Sequence, residues 1–192
     1  MSFYKFARGV CAVFLKIFYR VERIDTHNII KDGACVICSN HISMLDPVII
    51  ATTKVREFYF VAKEEITKVP VVGYFLKKMN LIPIKRGTGD LGAMRKSIEV
   101  IKNGNALMIF PEGTRSKTGK LQDGKDGVSL ILKKASCSVV PCAIIGNIKF
   151  FSHIKVVYGT PIDMTEYKDE KDLKVITKVI MNSIKELIEK HS

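Results

Sequence analysis

The sequence predicts a single α/β domain whose mixed, largely parallel sheet is flanked by helices. Short apolar segments typical of buried strands alternate with segments of helical periodicity along the chain. The length of 192 residues is sufficient for one domain with its own core. A composition that is 47% hydrophobic and 26% charged is typical of a globular chain rather than a disordered one. No repeat, low-complexity tract or linker divides the sequence.

The N-terminal segment predicts an amphipathic helix. At about 100° per residue its basic side chains fall within roughly 120° of one another, and apolar side chains occupy the remaining arc. The basic residues are Lys5, Arg8, Lys16 and Arg20. The longest uncharged run is Gly9 to Leu15, which is far shorter than the roughly 20 residues that span a bilayer. We therefore expect residues 1–25 to form a membrane-interface helix and residues 26–192 to form the folded domain. The alternative is a surface helix packed on that domain.

The remaining elements follow from apolar periodicity and from residues that start or stop helices. Buried strands are predicted at 34–38, 57–62, 81–84, 106–110, 139–145 and 154–158. Helices are predicted at 44–54, 70–79, 91–102, 128–135 and 172–190. Asp90 is placed to cap the helix that begins at 91, and Gly104 is placed to end it. The last helix carries apolar residues at spacings of three and four.

The charge balance narrows the class of partner. Lys and Arg number 31 against 19 Asp and Glu, a net charge of +12 that suits nucleic acid, an acidic protein or an anionic lipid surface. Aromatic residues make up only 8% and Trp is absent, so no aromatic-interleaved basic face for stacking bases is indicated. We therefore expect an anionic membrane surface rather than nucleic acid as the partner.

Five cysteines predict reduced, buried thiols. The count is odd, and several cysteines lie inside apolar runs. Cys35 and Cys38 have the spacing of a redox or metal pair, but they lie inside a predicted strand and no second pair has ligand spacing. We interpret them as packed strand residues and expect no metal site.

The first candidate site is Asn40-His41-Ile-Ser-Met-Leu-Asp46, directly after a predicted strand. Histidine is the side chain best suited to proton transfer near neutral pH, and a nearby carboxylate can fix its tautomer. Because residues five apart on a regular helix lie roughly 140° apart, we expect His41 in the turn before the helix and Asp46 in its first turn. The same spacing also occurs where an Asp only caps a helix beside a loop histidine. A metal hydrolase using both residues as ligands is disfavoured by the lack of a further ligand at suitable spacing.

Two further polar segments also follow predicted strands. In 110–116, Gly113 permits close backbone approach and Arg115 can bind a phosphate with two parallel hydrogen bonds. Glu112 could orient that arginine or a substrate hydroxyl. In 81–87, a strand ends in Lys85 and Arg86. Taken alone, 110–116 is also consistent with a polar turn that carries a solvated arginine, and a bare basic pair such as Lys85 and Arg86 is more often a solvated edge.

Together and in this order, these segments resemble the 1-acylglycerol-3-phosphate acyltransferase family. Its first motif, Asn-His-x₄-Asp, matches Asn40, His41 and Asp46. Its third motif, Phe-Pro-Glu-Gly-Thr-Arg-Ser, matches 110–116 at every position.

The other two family motifs also find counterparts. The second, which ends Ile-Pro-hydrophobic-x-Arg, matches 82–84 and Arg86, and the fourth, a hydrophobic run into Pro, matches 139–141. Lys85 departs from the second motif, where an Asp or Asn is common before the arginine. The N-terminal region is short beside members that have spanning helices.

The resemblance implies a glycerolipid acyltransferase fold and a defined set of site residues. His41 would be the general base and Asp46 its orienting carboxylate. Arg86, Arg115 and Lys63 would bind the substrate phosphate. Substrate-binding or structural roles would fall to Asn40, Glu112, Gly113 and Thr114.

The resemblance also implies the reaction and its partners. A fatty acyl group would pass from acyl-coenzyme A or acyl carrier protein, as co-substrate, to the sn-2 hydroxyl of lysophosphatidic acid, with no bound cofactor and no metal. The expected location is the cytoplasmic face of the cell membrane, as a peripheral or monotopic protein. Glycerol-3-phosphate or another lysophospholipid remains an alternative acceptor, and a non-catalytic anionic-lipid-binding module remains an alternative class.

Overall fold

The computed structural model describes residues 3–68, 79–84 and 90–192. The helices are α1 (Phe3–Phe18), α2 (Asp46–Ala51), α3 (Leu91–Lys102), α4 (Gly127–Ala135) and α5 (Leu173–His191). The strands are β1 (Arg20–Ile24), β2 (Cys35–Ser39), β3 (Phe58–Lys63), β4 (Leu81–Ile84), β5 (Ala106–Ile109), β6 (Ser138–Ile145) and β7 (His153–Tyr158). Short 3₁₀ turns lie at Thr26–Asn28, Glu64–Lys68 and Met164–Tyr167.

One mixed sheet organises these elements, as predicted. Its strand order is β1-β7-β6-β2-β5-β3-β4. Strands β6, β2, β5, β3 and β4 run parallel to one another, whereas β7 is antiparallel to β6 and β1 is parallel to β7. The parallel strands therefore all end at one edge of the sheet, which we call the carboxyl edge, and β1 and β7 begin there. Ligands of open α/β sheets bind at such an edge.

Helices cover both faces of the sheet because successive strand residues point to opposite sides. On one face, Ile37 of β2 packs in a core with Leu15 of α1 and Ile49 of α2. On the other face, Val36 of β2 packs in a second core with residues of α3, α4 and α5. Since β2 is buried at all five positions, the residues that follow it emerge from the centre of the domain.

Helix α3 confirms the predicted cap. Its bounds, Leu91–Lys102, are those predicted, and the Asp90 side chain accepts a hydrogen bond of 3.0 Å from the Ala93 N–H. Gly104 follows the helix with φ of +77°, a conformation that favours glycine.

The cysteines are free thiols, and most of them are buried. Cys35 and Cys38 are fully buried in β2, which confirms their interpretation as packed strand residues. Cys137 and Cys142 are also buried. Cys11 departs from the prediction, since it lies on α1 and is only partly buried.

Two predicted helices are shorter in the structure, and a third lies almost wholly outside the described residues. Residues 20–24, which we placed in the N-terminal helical segment 1–25, form the strand β1, so the helix ends at Phe18. The segment Arg20-Val-Glu-Arg-Ile24 is polar and only partly buried because it lies at the edge of the sheet, where charged side chains are common. The helix predicted at 44–54 is shorter, since residues 41–45 form an irregular loop before α2. The helix predicted at 70–79 lies almost wholly outside the described residues.

Helix α1 presents two contrasting faces. Tyr4, Ala7 and Leu15 are buried against the domain, so the helix does pack on its own fold. Elsewhere the helix exposes five large apolar side chains, which are Phe6, Val10, Val13, Phe14 and Ile17. None of the helices in the described ranges combines the length and the apolar character needed to cross a bilayer.

Candidate active site

His41 and Asp46 are paired at the carboxyl edge, immediately beyond β2. The distance between His41 Nδ1 and Asp46 Oδ2 is 2.7 Å. Asp46 is the first residue of α2 and is fully buried, whereas the His41 side chain is 18% exposed. The predicted placement, with the histidine in the turn and the aspartate in the first turn of the helix, is confirmed.

The carboxylate of Asp46 also fixes the loop that carries the histidine. Its Oδ2 accepts hydrogen bonds of 2.7 Å from the backbone N–H groups of Ile42 and Ser43. Because this oxygen acts as an acceptor toward both N–H groups, we infer that Nδ1 of His41 donates the third bond. The other ring nitrogen, Nε2, then carries a lone pair and can accept a proton.

Residues of the 110–116 motif contact the ring and the backbone of His41. Phe110, at the end of β5, stacks on the imidazole with ring centroids 4.1 Å apart and an interplanar angle of 18°. The Ser116 N–H donates to the His41 carbonyl at 2.7 Å. The parallel pairing of β2 and β5 explains why two motifs about seventy residues apart meet. With its ring plane stacked and its Nδ1 bonded, His41 is fixed in orientation.

Glu112 links the histidine loop to the loop after β5. It is only 2% exposed, and its Oε1 accepts a hydrogen bond of 2.7 Å from the His41 N–H. Its Oε2 accepts from the backbone N–H and the side-chain Nε2 of Gln122, at 3.1 and 2.9 Å. Burial raises the pKa of Glu112, and these N–H donors oppose the rise. Both oxygens are thus bonded within the protein, where we had considered Arg115 or a substrate hydroxyl as partners.

The backbone around Glu112 forms a tight turn. The Gly113 N–H donates to the Phe110 carbonyl at 3.0 Å, and Gly113 adopts φ of +67°. A Cβ at this position would lie 3.1 Å from Cδ of Lys125, so a larger residue would be both strained and crowded. The Thr114 carbonyl accepts a bond from Gln122 Nε2 at 3.3 Å. Arg115 follows at the surface with an exposed side chain.

The Asn40 side chain links the end of β2 to β6 by two hydrogen bonds. Its Nδ2 donates to the Ile144 carbonyl at 2.9 Å, and its Oδ1 accepts from the Ile144 N–H at 2.7 Å. Both ends of the buried side-chain amide are therefore bonded to backbone. This contact supports a structural role for Asn40, which positions the residue that follows it, His41.

The candidate phosphate-binding residues converge only in part. Lys63 is the last residue of β3, and Arg115 follows β5, its parallel neighbour, so both backbones leave the sheet at the carboxyl edge. Arg86 lies outside the described residues. Gln122 was not singled out in the sequence, because it lies in a polar loop with no periodic or motif signal.

A Glu112→Gln variant should lower the free energy of unfolding by about 1–3 kcal/mol, because the glutamine amide would direct N–H donors at an existing N–H donor. Denaturant unfolding followed by circular dichroism measures this loss. Glu65→Gln, at an exposed glutamate, is the matched control. Equal stability of the two variants would contradict the linking role of Glu112.

Comparison with known proteins identifies the family of this chain. Residues 20–145 match the family model described as Acyltransferase. The chain is 33% identical over 133 residues to the chloroplastic 1-acyl-sn-glycerol-3-phosphate acyltransferase BAT2 of Brassica napus, covering 68% of this chain but only 38% of that protein. It is 26% identical over 193 residues to the 1-acyl-sn-glycerol-3-phosphate acyltransferase of Bacillus subtilis, covering 96% of each.

A solved structure shares the architecture. The crystal structure of the 1-acyl-sn-glycerophosphate (LPA) acyltransferase PlsC from Thermotoga maritima matches with a TM-score of 0.77 and 28% identity, over 98% of this chain and 81% of that one. The α/β fold inferred from the sequence is therefore confirmed, and so is the resemblance to the 1-acylglycerol-3-phosphate acyltransferase family. The chain belongs to the acyltransferase family.

Proposed function

We propose that this protein transfers a fatty acyl group from an acyl thioester to the sn-2 hydroxyl of 1-acyl-sn-glycerol-3-phosphate. The products are phosphatidic acid and a free thiol. The similar proteins from Brassica napus, Bacillus subtilis and Thermotoga maritima, all named for this acceptor, support the proposal. Acyl-coenzyme A and acyl carrier protein both fit as donors, since the basic chain suits the phosphates of one and the acidic surface of the other.

The observation that carries the proposal is the His41–Asp46 pair. A hydroxyl is a poor nucleophile at neutral pH until a base takes its proton. With Nδ1 held by Asp46 at 2.7 Å, Nε2 of His41 is the ring nitrogen that can accept this proton as the oxygen attacks the thioester carbonyl. The imidazolium then returns the proton to the departing thiolate. The Asp46 carboxylate stabilises the positive ring.

The cysteines favour direct transfer over an acyl-cysteine intermediate. Burial raises the pKa of Cys137 and of Cys142 to about 12, so neither forms a thiolate readily near neutral pH. Cys38 is fully buried, and burial raises its pKa as well. The hydroxyl of the acceptor is therefore the nucleophile in this proposal, and His41 is its base.

In this proposal, Arg115 and Lys63 bind the acceptor phosphate at the carboxyl edge. Arg86, from the second family motif, is the third cation. Arg115→Ala should raise KM for the lysophospholipid by roughly ten-fold with little change in kcat, because a charge-assisted hydrogen bond to phosphate is lost. Steady-state kinetics with Lys117→Ala, an exposed cation two residues away, provide the control. An unchanged KM in Arg115→Ala would remove this residue from the phosphate site.

Helix α1 supports a place at a membrane surface. Its exposed apolar face and its basic residues have the composition of an interfacial helix. We accordingly place the protein at the cytoplasmic face of the membrane as a peripheral or monotopic protein, with an anionic lipid surface as its partner.

The experiment that tests the proposal follows thiol release from the full chain. Purified protein is incubated with acyl-coenzyme A or acyl carrier protein and with one acceptor at a time: lysophosphatidic acid, lysophosphatidylcholine or glycerol-3-phosphate. We expect release matched by phosphatidic acid only with the first acceptor. Preference for either other acceptor would change the substrate assignment, and inactivity with every pair would favour the lipid-binding module.

A further inference from the structure

A turn between β6 and β7 exposes two phenylalanines at its tip. Phe150 is 63% exposed and Phe151 is 71% exposed, values that are high for aromatic side chains. The turn is closed at its base by Ser152, whose N–H and Oγ both donate to the Lys149 carbonyl. Phe151 adopts φ of +63°, which bulky L-residues rarely occupy. We call Lys149–Ser152 the aromatic turn.

The aromatic turn is joined to the end of helix α1. The Phe151 N–H donates to the Phe18 carbonyl at 2.7 Å, and the Arg20 N–H donates to the Ser152 carbonyl at 3.0 Å. The ring of Phe150 lies 5.5 Å from that of Phe18 and stacks on that of Tyr19 at 5.8 Å. Helix and turn therefore form one continuous surface.

Nearly all exposed apolar side chains of the described residues belong to this surface or to the catalytic loop. Ten large hydrophobic residues are exposed in the described ranges. Five are on α1 and two are in the aromatic turn. An eighth, Met44 at 58% exposure, lies in the loop between His41 and Asp46. The remaining two are Leu91 and Val175.

Topology places the turn at the same edge as the active site. The turn follows the end of β6, which is parallel to β2, and precedes the start of β7. His41 follows the end of β2. The C-terminal end of α1 also reaches this edge, since β1 begins there in register with β7.

The positive charge around this surface favours an anionic partner. Lys16, Arg20 and Lys149 are exposed on the same segments as the aromatic residues. The sequence has no acidic residue before Glu22 and none between Asp126 and Asp163. An apolar surface bordered by cations complements an anionic lipid bilayer, whose acyl region accepts the rings while its head groups bind the cations.

We propose that the aromatic turn is a second membrane anchor, which inserts Phe150 and Phe151 into an anionic bilayer beside α1 and sets the carboxyl edge of the sheet against the lipid. The proposal deepens the proposed function and rests on it for the meaning of that orientation, because the sn-2 hydroxyl of a lipid acceptor lies near the bilayer surface. Insertion itself requires no catalysis.

The test uses the absence of tryptophan from the chain. In Phe150→Trp, a single indole reports on the turn. Asn103→Trp places the same reporter at an exposed residue after the end of α3, beside the start of β5 and so away from the carboxyl edge. Full-length variants are mixed with vesicles of phosphatidylcholine and phosphatidylglycerol that contain brominated acyl chains. We expect a blue shift and quenching in Phe150→Trp and neither effect in Asn103→Trp. Equal responses of the two variants would overturn the proposal, as would a blue shift that follows protein concentration without vesicles, which would indicate a second copy of the chain.

A paired variant measures the contribution of the rings. Phe150→Ser with Phe151→Asn keeps a residue that tolerates positive φ at position 151, and it should lower the partition onto these vesicles by roughly ten-fold or more. Leu91→Ser is the matched control. An unchanged partition would overturn the anchor. A wild type that inserts but transfers no acyl group would instead count against the proposed function alone.

Discussion

Replacing His41 by alanine is expected to lower kcat for acyl transfer by about 10²–10⁴-fold, the range that general base catalysis contributes. The variant removes Nε2, the nitrogen placed to take the acceptor proton, but it leaves the backbone bonds that hold the loop. Those bonds join the His41 N–H to Glu112 and the His41 carbonyl to the Ser116 N–H. KM for both substrates should therefore change little.

The measurement is initial-rate kinetics of thiol release at saturating donor and acceptor. His27→Ala, at an exposed histidine outside the motif, is the matched control and should retain wild-type rates. Equal circular dichroism spectra and unfolding midpoints would show that His41→Ala is folded. A His41→Ala enzyme with wild-type kcat would remove the residue from the reaction.

Asp46→Asn is expected to lower kcat by about 10²-fold or more, because the neutral amide cannot stabilise the imidazolium that forms as His41 takes the proton. The substitution also has a structural cost. Asp46 Oδ1 is buried without a hydrogen-bond partner among the described residues. If the introduced amide kept its oxygen at the Oδ2 position, its NH₂ group would replace Oδ1 and remain unsatisfied, which costs about 1–3 kcal/mol.

The effects of His41→Ala and Asp46→Asn on kcat should not be additive. In the double variant, the fall in kcat should be close to that of His41→Ala alone, since Asp46 acts through the histidine and residues of one unit are strongly non-additive. Asp32→Asn, at an exposed aspartate, is the control for the charge change. Fully multiplicative effects of the two substitutions would indicate that Asp46 has a separate role.

The contact between His41 and Asp46 was predictable because its geometry is local. Five residues separate His41 from Asp46, and the rotation of a regular helix forbids their contact unless the histidine precedes the helix. The spacing therefore predicted His41 in the turn and Asp46 in the first turn of the helix, although α2 begins at Asp46 rather than at residue 44. The same reasoning located α3 to the residue, through the cap at Asp90.

Other features depend on tertiary contacts, which no local sequence pattern indicates. The edge strand β1 has charged residues at three of five positions, and only its pairing with β7 makes it a strand. Glu112 meets His41 across 71 residues and Gln122 across ten, so its linking role required the fold. The exposure of the aromatic turn likewise could not be predicted, because Phe150 and Phe151 lie between Lys149 and Ser152 without a periodic pattern, and only the structure places them at an exposed tip.

In the proposed reaction, the sn-2 hydroxyl of the acceptor attacks the thioester directly, with His41 as base. The most direct test compares thiol release in the presence of lysophosphatidic acid with release in the presence of its analogue lacking the sn-2 hydroxyl. For direct transfer, we expect one thiol released per phosphatidic acid formed with the first lipid, and no release above background with the second. Equal thiol release with both lipids, or a burst of release without any acceptor, would contradict it.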